Sequence, residues 1–511
     1  MFRKLGYILV AMGILAAGFY LAEIRVPSLK WFFAWKEMAG WGMCAGLVFG
    51  GALMAWLAPG NVKFSPETQR QMQRFVSIRR GYISLWLLAL LVLFAMMDNL
   101  LVGNRALVVR YQGAMYFPVF RDAYPAKVFG GEGENEANYR ELKKRFAEEE
   151  KGDWLLLPLV PWNATLDSDG EKRVVLEKNK KGLYHLQGRG EPYSGMATAY
   201  YERDGDAEEM KYMEWRFRQG RIDGKVTVWS RDGEVLQEAI WEKGKLLDEG
   251  VKDADQLAAL KQAMGAEPPA MVVTLYPPLR PSWKDRHFMG TDTGGNDILA
   301  QLFGGWQILL QANVIYLSIT YAIGISLGCA MGYFGGRFDM LAQRFIEVLS
   351  NLPFLYVVII IASVIKRPPM PVLVGVLCIF SWIGMTYYLR TATYREKARD
   401  YVAAARLMGA GTGRIIFRHI LPNTIAIVVT LLPFSVTGLI GSLTALDYLG
   451  FGLPVEYPSW GRLLAEGSEN LSSPWIVSGG FFGTVVILVL VTFVGEAVRE
   501  AFDPKKFTTY K

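Results

Sequence analysis

Residues 475–498 read WIVSGGFFGTVVILVLVTFVGEAV, with Glu496 as the only charged side chain. A bilayer core of about 30 Å needs roughly 20 apolar residues in a helix, so this segment predicts a transmembrane span. Helix is expected because lipid offers no partner for free backbone donors and acceptors. Similar runs predict eight spans in all, at residues 5–22, 40–58, 82–101, 306–334, 340–365, 372–392, 420–449 and 475–498. The chain is thus predicted to be an all-α polytopic membrane protein.

The composition supports this class. Of 511 residues, 52% are hydrophobic and 20% are charged, and the mean hydropathy is +0.19. These values exclude disordered, collagen-like and coiled-coil chains. The three cysteines and three histidines are scattered, at Cys44, Cys329, Cys378, His185, His287 and His419. We therefore expect no disulfide scaffold, no metal site and no catalytic cluster.

Basic residues in the short loops predict the orientation. Residues 61–81 carry five Lys and Arg against Glu67, residues 390–419 carry seven against two acidic residues, and the C-terminus adds three lysines. Both termini and these loops are therefore expected in the cytoplasm, with residues 102–304 outside. Lys366 and Arg367 on the outer side do not outweigh this pattern. Residues 1–22 could alternatively be a signal peptide, but an uncleaved helix is favoured because no small-x-small site precedes Glu23.

Residues 102–304 are too long for a connection and too charged for a span. A strand is predicted at 107–116 and an exposed helix at 132–151. Between residues 183 and 247, short alternating strands with Asp-Gly turns predict hairpins. Gly195…Tyr201…Asp204-Gly205 is echoed 28 or 29 residues later by Gly224…Trp229…Asp232-Gly233. These units resemble MORN-like repeats, which suggests a docking surface for an extracytoplasmic partner. The alternative is a β-meander that only stabilises an exposed loop.

The segment before the fourth span, residues 287–299, reads HFMGTDTGGNDIL. Gly290, Gly294 and Gly295 predict a turn, and Asn296 or Asp297 can cap the helix that follows. A phosphate-binding loop is excluded because no Gly-Lys-Ser/Thr follows.

The loop before the seventh span, residues 400–423, reads DYVAAARLMGAGTGRIIFRHILPN. Residues 403–406 favour helix, Gly409 and Gly411 break it, and a second helix is predicted from near Thr412 towards the membrane. DNA binding is implausible for a unit tethered to the membrane at both ends. Small side chains at 403–405 and Gly409 instead predict a low-relief face that another protein can approach closely.

This loop resembles the EAA signature of ABC-importer permeases, the coupling helix that docks on the ATPase subunit. Ala404, Ala405, Gly409, Leu421 and Pro422 match it, whereas Ala403 stands where the family usually has glutamate. The resemblance implies ATPase-coupling residues at Ala403, Ala404, Ala405, Arg406, Gly409, Ala410, Leu421 and Pro422.

Other segments resemble the C-type subunits of dipeptide and oligopeptide permeases. Gly290, Thr291, Asp292 and Asp297 match a signature loop of that family, although Asn296 replaces its usual arginine. Residues 447–454 and 458–461 are further matches to the same family. Residues 495–504 and 108–118, with FGG at 129–131, look closest to the Yej-type microcin C and oligopeptide permeases.

The resemblance implies a type I ABC importer-like fold. Two extra N-terminal helices (1–60) precede a basic segment and first core span (61–101), an extracytoplasmic insert (102–304) and the permease core (305–511), whose coupling helix lies at about 400–422. It also implies a bacterial inner-membrane location and no catalysis by this chain. The implied partners are a second homologous permease, a cytoplasmic ATPase that binds ATP and magnesium, and an extracytoplasmic peptide-binding protein.

An external loop at 449–474 would lie near that binding protein, with Pro458, Trp460 and Gly461 as its candidate residues. The alternative for Trp460 is a packed interfacial tryptophan. Two other functions stay open at this point. A secondary transporter would use ionisable groups within the membrane, for which Glu347 and Asp447 are candidates. A membrane-tethered interaction module would use the repeats.

Overall fold

A computed structural model describes most of the chain and divides it into two compact units. The described residues are 2–21, 45, 48–49, 52, 66–97, 100–120, 124–131, 134–149, 152–165, 172–179, 181–187, 191–200, 210–230, 234–249, 271–365 and 368–502. One unit comprises Met1–Ser168 with Arg280–Lys511, and the other is Asp169–Leu279. The predicted insert, 102–304, is therefore shared between the two units.

Helices make up most of the first unit. In chain order they are α1 (Phe2–Leu21), α2 (Pro66–Ser77), α3 (Arg79–Met96), α4 (Tyr139–Glu149), α5 (Ile298–Phe334), α6 (Gly336–Ser350), α7 (Phe354–Ile365), α8 (Met370–Lys397), α9 (Asp400–Leu407), α10 (Leu421–Tyr448), α11 (Trp460–Glu469) and α12 (Pro474–Phe502). A short turn of helix, Thr412–Arg414, and a π-helix, Ile415–Ile420, lead directly into α10.

Five of the described helices are long and apolar enough to span a membrane: α3, α5, α8, α12 and the continuous Thr412–Tyr448. The pair α6 and α7 forms a sixth if it is one broken span, since the helices meet at 73°. The break lies at Pro353, whose ring excludes a regular α-helix through residues 351–353. In α1 the apolar stretch is shorter, Tyr7–Phe19, and the predicted span at 40–58 lies almost entirely outside the described residues.

The helices α5 and α8 pack closely through a stripe of glycines. Gly324, Gly328 and Gly332 recur every four residues on α5. A Cβ added to them would lie 2.8, 2.7 and 2.5 Å, respectively, from atoms of α8. Without a hydrophobic driving force in lipid, small residues let helix backbones approach and gain van der Waals contact. The pair is therefore expected to move as one body.

A small subdomain follows α3. The predicted strand at 107–116 is a hairpin, β1 (Val108–Tyr111) and β2 (Ala114–Tyr116), and β3 (Trp154–Leu156) pairs with the other edge of β1. Gln112 and Gly113 have φ of 50° and 82°, which suits a tight hairpin turn. The predicted exposed helix is α4, whose apolar side packs under the sheet.

In the part of the second unit that the structure describes, nine antiparallel strands form one sheet. They are β4 (Lys172–Lys178), β5 (Tyr184–Leu186), β6 (Gly195–Tyr200), β7 (Lys211–Arg218), β8 (Arg221–Ile222), β9 (Gly224–Trp229), β10 (Val235–Glu242), β11 (Lys245–Glu249) and β12 (Val272–Leu275). The order is β11-β10-β9-β7-β6-β12-β4-β5, with β8 beside β7. Alternate residues such as Met213, Trp215 and Phe217 are buried on one face.

The β-rich insert and its hairpins are confirmed. The echoed glycines begin equivalent strands, Gly195 in β6 and Gly224 in β9, and each strand pairs with the next long strand as an antiparallel hairpin. The Asp-Gly turns themselves lie outside the described residues. The MORN-like assignment stays a prediction.

Candidate functional site

The predicted coupling helix is α9, and glycine ends it as expected. Gly409 has φ of +77°, a left-handed conformation that glycine adopts without strain. Its N–H donates to the carbonyl of Arg406, and the N–H of Ala410 donates to that of Ala405, both at 3.0 Å. This pair of bonds is a Schellman motif, which satisfies carbonyls at the end of a helix. The helix therefore stops at a fixed point before the second helix begins at Thr412.

One face of α9 is packed inside the chain. Val402 and Ala405 are 0% and 2% exposed and contact Ile415, Ile416 and Ile420 of the second helix. The interpretation of Ala405 as part of the approachable face is therefore wrong. Its small side chain lets the two helices of the loop pack against each other.

The opposite face of α9 is open and carries two large apolar side chains. Leu407 is 90% exposed and Met408 is 81% exposed, beside exposed Ala403 and Ala404. The sequence interpretation named the alanines and missed Leu407 and Met408. No local signal separated them from core residues, because the face of α9 that packs inward is set by its contacts with the second helix. Contiguous exposed apolar side chains are typical of interaction surfaces.

Polar contacts fix α9 to the end of α8. The Tyr401 hydroxyl donates to Glu396 Oε2 at 3.0 Å, and Glu396 is only 9% exposed. Arg395 and Arg399 flank the same carboxylate at 3.7 and 3.9 Å. Burial raises the pKa of Tyr401, so its hydroxyl stays neutral and donates. A buried carboxylate with these partners resists displacement of the helix.

Arg406 ties the helix to a third element. Its guanidinium carbon lies 5.6 Å from the ring centre of Tyr333 at the end of α5, and Lys397 Nζ lies 5.7 Å from the same ring. Such cation–π contacts contribute about 0.5–1 kcal/mol at exposed sites. The predicted coupling residue Arg406 thus contacts its own chain.

Leu421 and Pro422 begin α10, where the π-helix ends. Leu421 is half-buried and Pro422 is exposed. Proline lacks an N–H, so Pro422 cannot donate to the preceding turn of the continuous helix. The widened π turn lies just before this missing donor. These two residues therefore shape the return of the chain into the membrane.

At the other end of the spans, the predicted signature loop caps α5. Asp297 is fully buried; its Oδ1 accepts from the N–H of Ala300 at 2.7 Å, and its Oδ2 lies 2.8 Å from Nδ1 of buried His287. Of the two candidate caps, the structure selects Asp297. An N-cap of this type stabilises a helix by about 1 kcal/mol.

The rest of the signature loop joins α5 to α12. Asp292 accepts from Gln301 Nε2 at 2.6 Å, and the Thr291 carbonyl accepts from Trp475 Nε1 at 3.1 Å. Gly290 has φ of +79°, which the turn before the cap requires. The structure therefore brings Gly290, Thr291, Asp292 and Asp297 together, in a structural role.

The candidate residues of the external loop are packed inside. Trp460 is 4% exposed, and its Nε1 donates to the Leu302 carbonyl at 3.0 Å. A Cβ on Gly461 would lie 2.2 Å from the Thr444 carbonyl, and one on Gly304 would lie 2.7 Å from Pro458. Of the two interpretations of Trp460, the structure favours the packed residue, since its ring and N–H are both engaged within the chain.

The acidic candidates for a secondary transporter have structural partners. Asp447 accepts from the N–H of Leu453 and from the Ser459 hydroxyl, both at 2.6 Å. Glu347 pairs with Arg344, three residues away, at 2.7 Å. Neither carboxylate belongs to an ion relay among the described residues, so the geometry does not favour that alternative.

Comparisons with known proteins agree with this architecture. Residues 324–508 match the family described as binding-protein-dependent transport system inner membrane component. The chain is 30% identical over 450 residues to the peptidoglycan transport system permease protein YejE of Agrobacterium fabrum. This alignment covers 88% of this chain and 96% of the relative. It is 29% identical to the inner membrane ABC transporter permease protein YejE of Escherichia coli, over 87% of this chain and 99% of the relative.

A shorter relative matches the core. The oligopeptide transport system permease protein OppC of Lactococcus lactis is 35% identical over 225 residues, 43% of this chain and 76% of the relative. The match of nearly full length shows the family, and the relatives are transport components of the inner membrane. The chain therefore belongs to the dipeptide and oligopeptide permease family of ABC importers, as a multi-pass membrane subunit of a peptide importer and not as an enzyme.

Proposed function

We propose that α9 is the coupling helix and that Leu407 and Met408 anchor it in an ATPase subunit. The observation that carries the proposal is their exposure, 90% and 81%, at the end of a helix whose other face is fixed to the core. A few central apolar anchors usually dominate the energy of an interface, at about 2 kcal/mol or more each. A rigid helix also loses little conformational entropy when it binds.

The contacts around α9 suggest how a movement of the ATPase is transmitted to the membrane spans. Val402 and Ala405 hold it to the second helix, Tyr401 holds it to α8, and Arg406 contacts the end of α5. Because α5 and α8 pack through their glycine stripe, a displacement of α9 is expected to move both spans. ATP and magnesium would be bound by the partner ATPase, and α9 of this chain would transmit the movement of the ATPase to the spans.

The charge distribution supports an orientation with α9 in the cytoplasm. Arg79 and Arg80 begin α3, and Arg80 lies 3.4 Å from Glu496 near the end of α12. Arg395 and Arg399 lie next to α9. Basic residues of this kind mark the cytoplasmic side. Both termini would then be cytoplasmic, and the β-rich insert would lie outside.

Family membership supports the remaining partners, a second homologous permease and an extracytoplasmic peptide-binding protein. The names of the relatives, one for peptidoglycan transport and one for oligopeptide transport, support a cargo of peptides or peptide-like compounds. Microcin C is included in the proposed cargo only on the resemblance of the sequence motifs. The nine-stranded sheet is a docking surface for an outside partner in this proposal.

The test is a Leu407→Ser, Met408→Ser double variant of the full transporter. We expect the affinity for the ATPase to fall by roughly 800-fold, since two anchors of about 2 kcal/mol each are lost, so that the ATPase no longer copurifies and uptake of a labelled oligopeptide fails. The matched control is Leu471→Ser, because Leu471 is 75% exposed but lies between α11 and α12. Normal ATPase retention by the double variant would refute the proposed anchor.

A further inference from the structure

The small sheet of β1, β2 and β3 in the subdomain after α3 is apolar on both of its faces. On the inner face, Val109 and Leu155 are 0% and 7% exposed and pack with Leu142 and Phe146 of α4. An antiparallel sheet that is covered on one side normally presents polar side chains to water on the other. The other face of this sheet departs from that pattern.

This outer sheet face carries large apolar side chains around one arginine. Arg110 of β1 lies directly opposite Met115 of β2 on one side and Trp154 of β3 on the other. Side chains two apart on a strand share a face, so the next residues along the strands complete the outer sheet face. Its members are Val108, Arg110, Met115, Phe117, Trp154 and Leu156.

The size and composition of the outer sheet face indicate an interaction surface. Its four largest apolar side chains, those at 115, 117, 154 and 156, are between 44% and 53% exposed. At about 200 Å² a side chain, they present roughly 400 Å² of apolar surface together. Contiguous apolar patches of this size are often functional, and Trp, Phe, Met and Arg are enriched at the centres of protein interfaces.

Arg110 gives the chemistry of the partner. Among the described residues no carboxylate pairs with its guanidinium, and no other member of the outer sheet face is charged. The ion pairs nearby use other residues, such as Arg105 with Glu136. A partner that covered the outer sheet face without supplying an anion would bury an unpaired charge, which is costly. The fitting partner is therefore apolar around a carboxylate.

The position of the subdomain favours a protein partner over lipid. Gln307 Nε2 of α5 donates to the carbonyl of Ala95, one residue before the end of α3, at 2.8 Å. The helix α5 begins at Ile298, nine residues earlier and about 13 Å further out, whereas headgroups add only about 5–7 Å to each side of the hydrocarbon core. The subdomain packs at this outer end of α5, through Val160 against Ala300.

Contacts within the chain join the subdomain to the first turn of α5. The guanidinium carbon of Arg140, on α4, lies 3.7 Å from the ring centre of Trp162, and Trp162 stacks on His287 at 4.1 Å. His287 lies 2.8 Å from Asp297, the cap of α5. A partner on the outer sheet face would therefore act on α5, the helix whose opposite end contacts α9.

We propose that the outer sheet face docks the extracytoplasmic peptide-binding protein, through an apolar surface around an acidic side chain that pairs with Arg110. This inference rests on the proposed partnership with such a protein. A standard interface covers about 800 Å² on each partner, and permanent subunit interfaces are larger and more apolar. Roughly 400 Å² with a charge at its centre suits a partner that binds and leaves, whereas the second permease stays in place.

The first measurement is photo-cross-linking in the assembled transporter, in nanodiscs, with the purified peptide-loaded binding protein. Benzoylphenylalanine replaces Trp154, and in the control it replaces Lys144, an exposed residue of α4, which covers the opposite face of the sheet. We expect a mass-identified adduct with the binding protein from 154 and none from 144. An adduct of 154 with the second permease or with lipid, equal adducts from both sites, or no adduct would overturn the proposal.

The second measurement is the affinity of the transporter for the same binding protein. Arg110→Glu should weaken it roughly ten- to hundredfold, because a charge-assisted bond is lost and the two carboxylates repel each other. Lys144→Glu makes the same change of charge and should alter the affinity by less than about twofold. Equal affinities for the two variants would contradict the role of Arg110.

Two controls separate this inference from the proposals on which it rests. ATPase copurification establishes that each variant is assembled, and it does not depend on the outer sheet face. Binding by the wild type with no effect of the changes at 154 and 110 would refute the docking face alone. Absence of binding by the wild type would refute the partnership itself, and the inference with it.

Discussion

The glycine stripe between α5 and α8 allows a quantitative test. In Gly328→Ala, the new Cβ would lie 2.7 Å from the Thr386 carbonyl oxygen and 3.0 Å from Leu389 Cβ. Both neighbours belong to α8, and the carbonyl is backbone, so the two helices must separate. Overpacking of this kind costs roughly 1–3 kcal/mol.

The matched control is Gly384→Ala on α8, where an added Cβ meets nothing within 4 Å. Both substitutions gain the helix propensity of alanine over glycine, about 1 kcal/mol, so this contribution cancels in the comparison. The remaining difference of roughly 1–3 kcal/mol corresponds to about five- to hundredfold faster heat inactivation of Gly328→Ala if it acts on the unfolding barrier.

The assay is loss of the monodisperse transporter peak in nanodiscs at a fixed elevated temperature, followed over time. The monodisperse peak of the Gly384→Ala transporter should persist as long as that of the wild type or longer. The peak of the Gly328→Ala transporter should disappear faster. Equal lifetimes for the two variants would show that α5 and α8 do not meet through Gly328, and the transmission of movement through this pair would lose its basis.

Three further outcomes are expected. Gly409→Val should lose ATPase copurification, because a residue with a side chain in the left-handed conformation destabilises the loop by about 1–2 kcal/mol. Gly409→Asn should retain the ATPase; loss in both variants would instead indicate that side-chain size matters. Asp297→Ala should lower the melting temperature of the transporter more than Asp297→Asn does. The alanine variant removes both the cap of α5 and the partner of buried His287, which lowers the free energy of unfolding by roughly 2–4 kcal/mol. Arg390→Lys should reduce thermal stability, because lysine cannot reproduce the two-pronged contact of Arg390 with Asp339, and an unchanged melting curve would contradict this.

Several features could be predicted because they depend on neighbours in the sequence. The apolar runs predict membrane spans, since each must satisfy its backbone internally. The helix end at Gly409 and a cap at Asn296 or Asp297 were predicted because caps involve bonds over three to five residues. Family motifs then indicated a permease of a peptide importer, which the relatives confirm.

Other features depended on which face of an element meets a distant segment. Nothing local distinguishes Ala405, which is buried, from Ala404, which is exposed. Likewise, Trp460 is buried and Trp283 is exposed, although both follow a serine in loops outside the spans. Burial is decided by residues far away in the chain, such as Leu302 for Trp460.

The class of protein, the positions of most spans and the existence of the loop that contains α9 therefore follow from the residues alone. Contacts between distant segments set which side chains of that loop are exposed, the packing of α5 against α8 through glycine, and the exposure of Trp283 against the burial of Trp460. The two groups of features differ in range, because hydropathy, helix propensity and capping act over a few residues, whereas exposure is set by packing between segments more than a hundred residues apart.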